Sequence, residues 1–204
     1  MTLLRSIRTV KSESDMMVAT PQGNVKIAAT SYVRYPGEFR VDAKGPDGMR
    51  IQTFDSGSAW LSDGVIAEDA PAAFRRSLEA SVQRDGIGLL LALAEGRIQA
   101  RRVADVTVDG RPMPAIEADL AAAGRVTIAF DPATGLLAYQ RYGGSAGEPT
   151  TEETFTDYRQ VHGLQVAHHA SVRREGQPPL QRIVRTFEVN VPLDAAFFKK
   201  PTKL

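Results

Sequence analysis

Residues 32–64, YVRYPGEFRVDAKGPDGMRIQTFDSGSAWLSDG, carry the clearest structural signal in the chain. Within EFRVDAK, Phe39, Val41 and Ala43 alternate with charged side chains, which is the period of two expected of a strand with one buried face. Turns rich in glycine, proline and aspartate follow, and they lead to Trp60, the single tryptophan. The stretch therefore predicts consecutive antiparallel strands joined by tight turns.

The same alternation recurs later in the chain. RVTIAF, residues 125–130, is expected to place Val126, Ile128 and Phe130 on one face. RIVRTFEVNV, residues 182–191, is expected to place Ile183, Phe187 and Val189 on one face. Because turn signals separate such runs at short intervals, we expect a mainly β (α+β) fold built on one antiparallel sheet of roughly ten strands.

One segment departs from the strand pattern. After a candidate N-cap at Asp69, the segment to about residue 84 places Phe74, Leu78 and Val82 at helical spacing. The following GIGLLLALA, residues 86–94, is apolar on nearly every side, so other structure must enclose it. We expect about two inserted helices within residues 70–96, surrounded by a curved sheet.

Composition excludes several classes of protein. The 25 basic residues are balanced by 24 acidic ones, for a net charge of +1, and they are scattered, so nucleic acid is not an expected partner. The chain has no cysteine, which excludes disulfides and thiolate metal sites. Its longest apolar stretch is about half of the roughly 20 residues that a membrane-spanning helix needs, so no transmembrane segment is expected.

The sequence leaves two interpretations of the cellular compartment open. The first residues, MTLLRSIRTVKSESD, do not resemble a signal peptide, because charged side chains interrupt the apolar positions. We therefore expect either a cytoplasmic chain or a piece of something longer.

The adjacent histidines His168 and His169 are the strongest candidates for metal binding or catalysis. Neutral imidazole is a common zinc ligand, but neighbouring residues of a regular strand point to opposite faces, so these two rings cannot bind one ion. No zincin, P-loop or dinucleotide pattern occurs in the sequence, and its one G-x-S-x-G spacing, GGSAG at residues 143–147, lies in a predicted glycine turn between strands and not in the strand-to-helix turn of a nucleophile elbow. The sequence therefore predicts no catalytic residue, no metal, no cofactor and no enzymatic activity.

Two regions carry a resemblance to a known family. The opening Y-P-x-x-F-R-V with its hairpin and DSGSAWLSDG, together with DYRQVHGLQVAHHASVRREG and VNVPLDAAFFKKP near the end, resembles the LolA/LolB superfamily of periplasmic lipoprotein carriers and receptors. The likeness covers most of the chain. One position departs: where the carrier has an arginine directly before the proline, this chain has Tyr35, and Arg34 is expected to point to the opposite face.

The resemblance implies a half-closed antiparallel β-barrel around the helices, in one domain covering residues 1–204. It also implies a non-enzymatic, periplasmic or otherwise extracytoplasmic domain that binds an apolar ligand, a lipid or acyl chain. The alternative is a ligand-free structural or interaction module at the end of a larger extracytoplasmic protein, such as an insulinase-like peptidase, with another protein or domain as its partner.

Seven residues are the candidate ligand contacts. They are chosen for a large apolar area or for a position at the mouth of the sheet. The alternative roles are packing at the sheet edge for Tyr35, filling of the core or rim for Trp60, and permanent core packing for the leucines. We expect them to converge on the concave side of the sheet. They are Tyr35, Phe39, Val41, Trp60, Leu89, Leu90 and Leu93.

Overall fold

The computed structural model describes residues 2–143 and 149–201 of the chain. The helices are α1 (Thr2–Arg5), α2 (Ala72–Gln83) and α3 (Gly86–Ala94), with a short 3₁₀ helix at Ala195–Phe198 near the end. The strands before the long helices are β1 (Thr9–Thr20), β2 (Gly23–Arg34), β3 (Glu38–Gly45), β4 (Gly48–Asp55), β5 (Ser58–Ser62) and β6 (Ala67–Asp69). Those after them are β7 (Ala100–Val108), β8 (Arg111–Leu120), β9 (Gly124–Phe130), β10 (Leu137–Tyr142), β11 (Thr151–Val161), β12 (Leu164–Arg174) and β13 (Leu180–Val189).

All thirteen strands belong to one antiparallel sheet that does not close. Its order is β6-β5-β4-β3-β2-β1-β13-β12-β11-β10-β9-β8-β7. Strands β1 to β6 form one meander and β7 to β13 form another, and the two meet where β1 pairs with β13. Because β6 and β7 are the two edges, the segment holding α2 and α3 has to cross from one edge of the sheet to the other.

The two faces of the sheet can be followed through the strand register. Phe39 of β3 lies opposite Phe54 of β4, which lies opposite Ala59 of β5, and all three side chains pack with α2. We call the face that carries them the inner face. The intervening residues point to the outer face.

The sheet is strongly curved around the helices. Ile87 of α3 packs against a cluster that contains Val10 of β1, whereas Leu89, two residues later, packs with Ile128 of β9. In the sheet order β1 and β9 are five strand spacings apart, which is about 24 Å in a flat sheet. Side chains two residues apart in α3 join apolar clusters that include residues of these two strands, which a sheet curled around α3 explains.

The mainly β, antiparallel and open character of the fold is as expected, and α2 and α3 are the two inserted helices predicted within residues 70–96, with α1 an additional short helix near the N-terminus. The strand count was wrong, because the described residues form thirteen strands rather than about ten. The extra strands include β6, of three residues, and β7, whose sequence ARRVADVTV lacks regular alternation because a bulge lies between Val103 and Val106. Short or bulged strands leave a weak periodic signal.

Two local expectations were also wrong. Asp69 does not cap α2: it ends β6, and α2 begins after Pro71, whose side chain makes no capping hydrogen bond. Ile183 does not share a face with Phe187 and Val189. A register shift opposite the Glu13–Ser14 step adds one residue to β13, so Ile183 is 44% exposed on the outer face while Val184 is buried.

Candidate functional site

Helices α2 and α3 rest on opposite flanks of the inner face. Leu78 of α2 is buried against Phe54 of β4. Leu89 of α3 is 1% exposed and packs with Val126 and Ile128 of β9. The helical layer therefore spans the middle of the sheet between two packed supports.

The turn between the helices is fastened to the N-terminal meander by Asp85. Its carboxylate caps α3 by accepting a hydrogen bond from the Gly88 backbone N–H at 3.0 Å. The Tyr35 hydroxyl, just after β2, donates to the same Oδ2 atom at 2.5 Å. A Cβ atom at Gly88 would lie 3.3 Å from the Tyr35 ring, so the glycine allows this close approach. Burial of the hydroxyl, reinforced by the negative charge of Asp85, raises the pKa of Tyr35 well above its ordinary value.

The same turn is fastened to the C-terminal meander by its other two residues. The Gln83 side-chain oxygen accepts a hydrogen bond from the Ala122 backbone N–H, in the turn after β8, at 2.8 Å. Arg84 lies over the Tyr142 ring of β10, 3.8 Å from its centroid, and its carbonyl accepts from Gln140 at 3.4 Å. Residues 83–85 therefore form a clasp between the two halves of the sheet. The sequence carried one signal for it that we missed, since Asp85 directly before an apolar helix occupies a common N-cap position.

The middle of the four central strands carries mostly small side chains on its inner face, whereas their ends carry larger ones, such as Val10 and Phe187, that pack in an apolar cluster. The side chains of this middle region, which we call the central floor, are buried, and its three apolar members belong to none of the four apolar clusters formed by the described residues. Its members are Ser12 and Ser14 of β1, Ala29 of β2, Val184 of β13, and His168 and Ala170 of β12.

Six of the seven predicted contact residues lie on the side of the sheet that the helices pack against. Phe39 packs with α2, and Val41 follows it on the inner face of β3, opposite Ser31 of β2. Leu89 and Leu93 of α3 belong to the cluster over β9, and Leu90 is partly buried. Tyr35 joins them at the end of β2 through its bond to the clasp.

Trp60 does not converge with the others, so that part of the expectation was wrong. It lies opposite Thr53, which is one position out of step with the inner-face pair Phe54 and Ala59, and therefore occupies the outer face. There it is 3% exposed, and its indole N–H donates to the carbonyl of Phe198 at 2.9 Å. The large apolar area of Trp60 is covered by the C-terminal 3₁₀ helix and not by α2 or α3.

The expected opposition of the two histidines is confirmed. His168 is buried on the inner face, with Nδ1 3.0 Å from the Val184 carbonyl oxygen. His169 points outward, and its Nδ1 lies 3.0 Å from the Thr156 hydroxyl. Among residues 2–143 and 149–201, no group of three or more histidine, aspartate or glutamate side chains is arranged to hold a metal ion.

Two surface depressions stand out, and both lie away from the space between helices and sheet. An open groove of about 550 Å³ runs past Arg8, Tyr35 and Asn190 at the end of the sheet. Arg34, which lines this groove from the outer face as expected, is paired with Glu38. A smaller cavity of about 230 Å³ lies on the opposite half of the molecule, between Met113 and Tyr158.

The fold of this chain, an open antiparallel sheet curled around helices, is similar to that of several solved structures. A LolA superfamily protein from Nitrosomonas europaea superimposes with a TM-score of 0.71 at 8% identity, covering 96% of this chain and 91% of that one. A DUF1329 family protein from Desulfovibrio piger gives a TM-score of 0.68 at 11% identity, with 97% and 92% covered. A domain from Vibrio parahaemolyticus described as an outer membrane lipoprotein-sorting protein gives 0.61 at 10% identity, with 94% and 89% covered.

These likenesses establish a shared fold and confirm the resemblance drawn from the sequence at that level. No family model matches the chain, and no curated protein matches it in sequence. None of the described helices combines the length and apolar character needed to span a membrane.

Proposed function

We propose that this chain is a non-enzymatic domain that binds an apolar ligand, a lipid or acyl chain, outside the cytoplasm. The ligand lies along the central floor, beneath the clasp formed by residues 83–85. Phe39, Val41, Leu89, Leu90 and Leu93 contact its apolar part, and Tyr35 lies at its entrance. Trp60 is not part of this site, because it faces the other side of the sheet.

One observation carries the proposal. The apolar side chains of the central floor, Ala29, Ala170 and Val184, are small and buried, yet they belong to none of the apolar clusters formed by the described residues. In a tightly packed core, larger side chains fill such a region, because voids cost favourable contacts. Small residues beneath a helical bridge instead suit a guest molecule that completes the packing.

The structural neighbours support the same class of function. The names of two of them refer to the LolA superfamily and to outer membrane lipoprotein sorting. We extend from those names only the general role, the handling of acylated or lipidic molecules in the cell envelope.

The energetics suit a ligand of moderate length. Burying one methylene group contributes about 0.8 kcal/mol, so about eight methylenes contribute about 6 kcal/mol before the cost of association is subtracted. Longer chains add to this, and micromolar dissociation constants are then within reach.

A chain-length series tests the proposal. Saturated fatty acids of increasing length should displace a fluorescent apolar probe, with affinity rising by a constant factor for each added methylene until the floor is filled. Displacement of an added probe is the suitable signal, because the outward position of Trp60 makes its own emission a poor reporter.

Two substitutions within the proposed site are compared with one control substitution outside it. Leu90→Asp places a charge in the helical cover and should weaken binding, and Ser31→Leu, beside Val41, should shorten the longest chain that binds. Ile183→Asp, an equally large change of polarity on the exposed outer face, is the matched control and should leave binding unchanged. Failure of every chain length to bind saturably would contradict the proposal.

A ligand-free structural or interaction module is the second candidate. The location of both depressions outside the space between helices and sheet favours it. Under that function the helices fill the inner face permanently, and Ser31→Leu would lower stability without any effect on a ligand.

A further inference from the structure

His168 is the one strongly polar side chain of the central floor. It lies on the inner face of β12 and is 6% exposed. Its Nδ1 atom is 3.0 Å from the carbonyl oxygen of Val184 on the neighbouring strand. Because a carbonyl oxygen only accepts, Nδ1 carries the proton, and in the neutral ring Nε2 is then an acceptor with a free lone pair.

That acceptor has no partner in the part of the chain that the structure describes. Nε2 is buried, and no donor among residues 2–143 and 149–201 reaches it. Buried polar atoms in native proteins nearly always have a hydrogen-bond partner, since an unsatisfied one loses its hydration without compensation. A buried acceptor without a partner among these residues is a place where a water or a ligand can donate a hydrogen bond.

The position of His168 places this acceptor where the ligand would lie. Ala29, Ser14 and Val184 follow one another across β2, β1 and β13, and His168 continues the row on β12. The row crosses the central floor, and strand spacing puts His168 about 10 Å from Ser14. Around it the floor presents Ala170 and Val184, which offer no side-chain hydrogen bond, and the nearby Asp157 of β11 can only accept one when ionised.

We propose that Nε2 of His168 accepts a hydrogen bond from the bound ligand, which is therefore an amphiphile with an O–H or N–H group, such as an alcohol or an amide. This inference rests on the proposed function and specifies its ligand. A plain hydrocarbon chain leaves Nε2 unpaired, and an ionised carboxylate offers no proton to it. A hydroxyl or amide within an otherwise apolar molecule satisfies both the histidine and the floor.

Two probes of matched chain length test the inference: 1-dodecanol, which donates a hydrogen bond, and dodecyl methyl ether, which does not. The full chain should prefer the alcohol by about three- to tenfold in dissociation constant, the usual range for one neutral hydrogen bond. His168→Phe keeps a ring of similar size without the acceptor and should abolish the preference. His169→Phe, on the outer face of the same strand, is the control and should retain it.

A spectroscopic measurement on the unsubstituted protein gives an independent test, should His168→Phe fail to fold. The nitrogen-15 resonance of His168 Nε2 should shift on titration with 1-dodecanol and stay in place with the ether, while the His169 resonances serve as the internal reference. Equal affinity for both probes with an unmoved Nε2 resonance overturns the inference and leaves the proposed function intact. Binding of neither probe overturns the proposed function itself.

Discussion

Replacing Tyr35 by phenylalanine tests whether the clasp holds the helices against the sheet. The substitution removes one hydroxyl, whose 2.5 Å bond to the Asp85 carboxylate is the side-chain link between the end of β2 and the cap of α3. Hydrogen bonds to charged groups contribute about 1.5–3 kcal/mol, so we expect the free energy of unfolding to fall by about 2 kcal/mol. In a chain of this size that corresponds to a Tm lower by about 4–8 °C.

Urea unfolding, followed by the emission of buried Trp60 and by circular dichroism, measures this loss. A double-mutant cycle with Asp85→Ala isolates the pair, and its coupling energy should approach the loss seen for Tyr35→Phe alone. Tyr139→Phe is the matched control, because the Tyr139 hydroxyl donates to Glu152 at 2.7 Å away from both helices. Hydrogen exchange of the α3 amides should accelerate in Tyr35→Phe and not in the control. A stability change below about 0.5 kcal/mol, with no measurable coupling, would refute the role given to the clasp.

Two further predictions concern the whole molecule. We propose that residues 1–204 unfold as one cooperative unit, so deleting residues 181–204, which removes nearly all of β13, should abolish the sharp thermal transition in circular dichroism; a truncated chain that keeps it would show a separable C-terminal piece. Burial is the largest cause that raises the pKa of every tyrosine above its ordinary value of about 10. The neutral tyrosines therefore make their full contribution to the free energy of unfolding below that pH, and this contribution declines as the pH rises further. In an absorbance titration, tyrosinate should form only at higher pH, together with unfolding, and ionisation near pH 10 in the folded protein would contradict this. The five residues are Tyr32, Tyr35, Tyr139, Tyr142 and Tyr158.

Alternation within a strand predicted the faces of regular strands well. Phe39 and Val41 lie on the inner face, and His168 and His169 point to opposite sides, because a period of two is a local property of extended backbone. The same rule failed for Ile183, because the extra residue in β13 is visible only once the strand is paired with β1.

Trp60 shows a different limit of sequence reasoning. Its alternation with Ala59 is compatible with either face, and its large apolar area suggested the face with the helices. The register with β4 instead places Trp60 on the outer face. That face is buried at this point because the segment containing Phe198 packs over it. A contact between residues so far apart in the chain has no local signature.

The free Nε2 of His168 could not have been found from the sequence at all. Alternation placed the ring inside, but the tautomer depends on the Val184 carbonyl of a neighbouring strand. The absence of a second partner among the described residues is a property of the folded surroundings of the ring, and no spacing in the sequence encodes it.

The pairing of β1 with β13, where the two meanders meet, also affects how the sheet folds. Val10 of β1 pairs on one side with Val33 of the next strand, but on the other side with Val189, almost the whole length of the chain away. During synthesis, one edge of β1 therefore stays unpaired until β13 has left the ribosome. Closing so long a loop makes folding slow, and until then the open edge can pair with another chain, so this is the stage at which the protein is most exposed to aggregation.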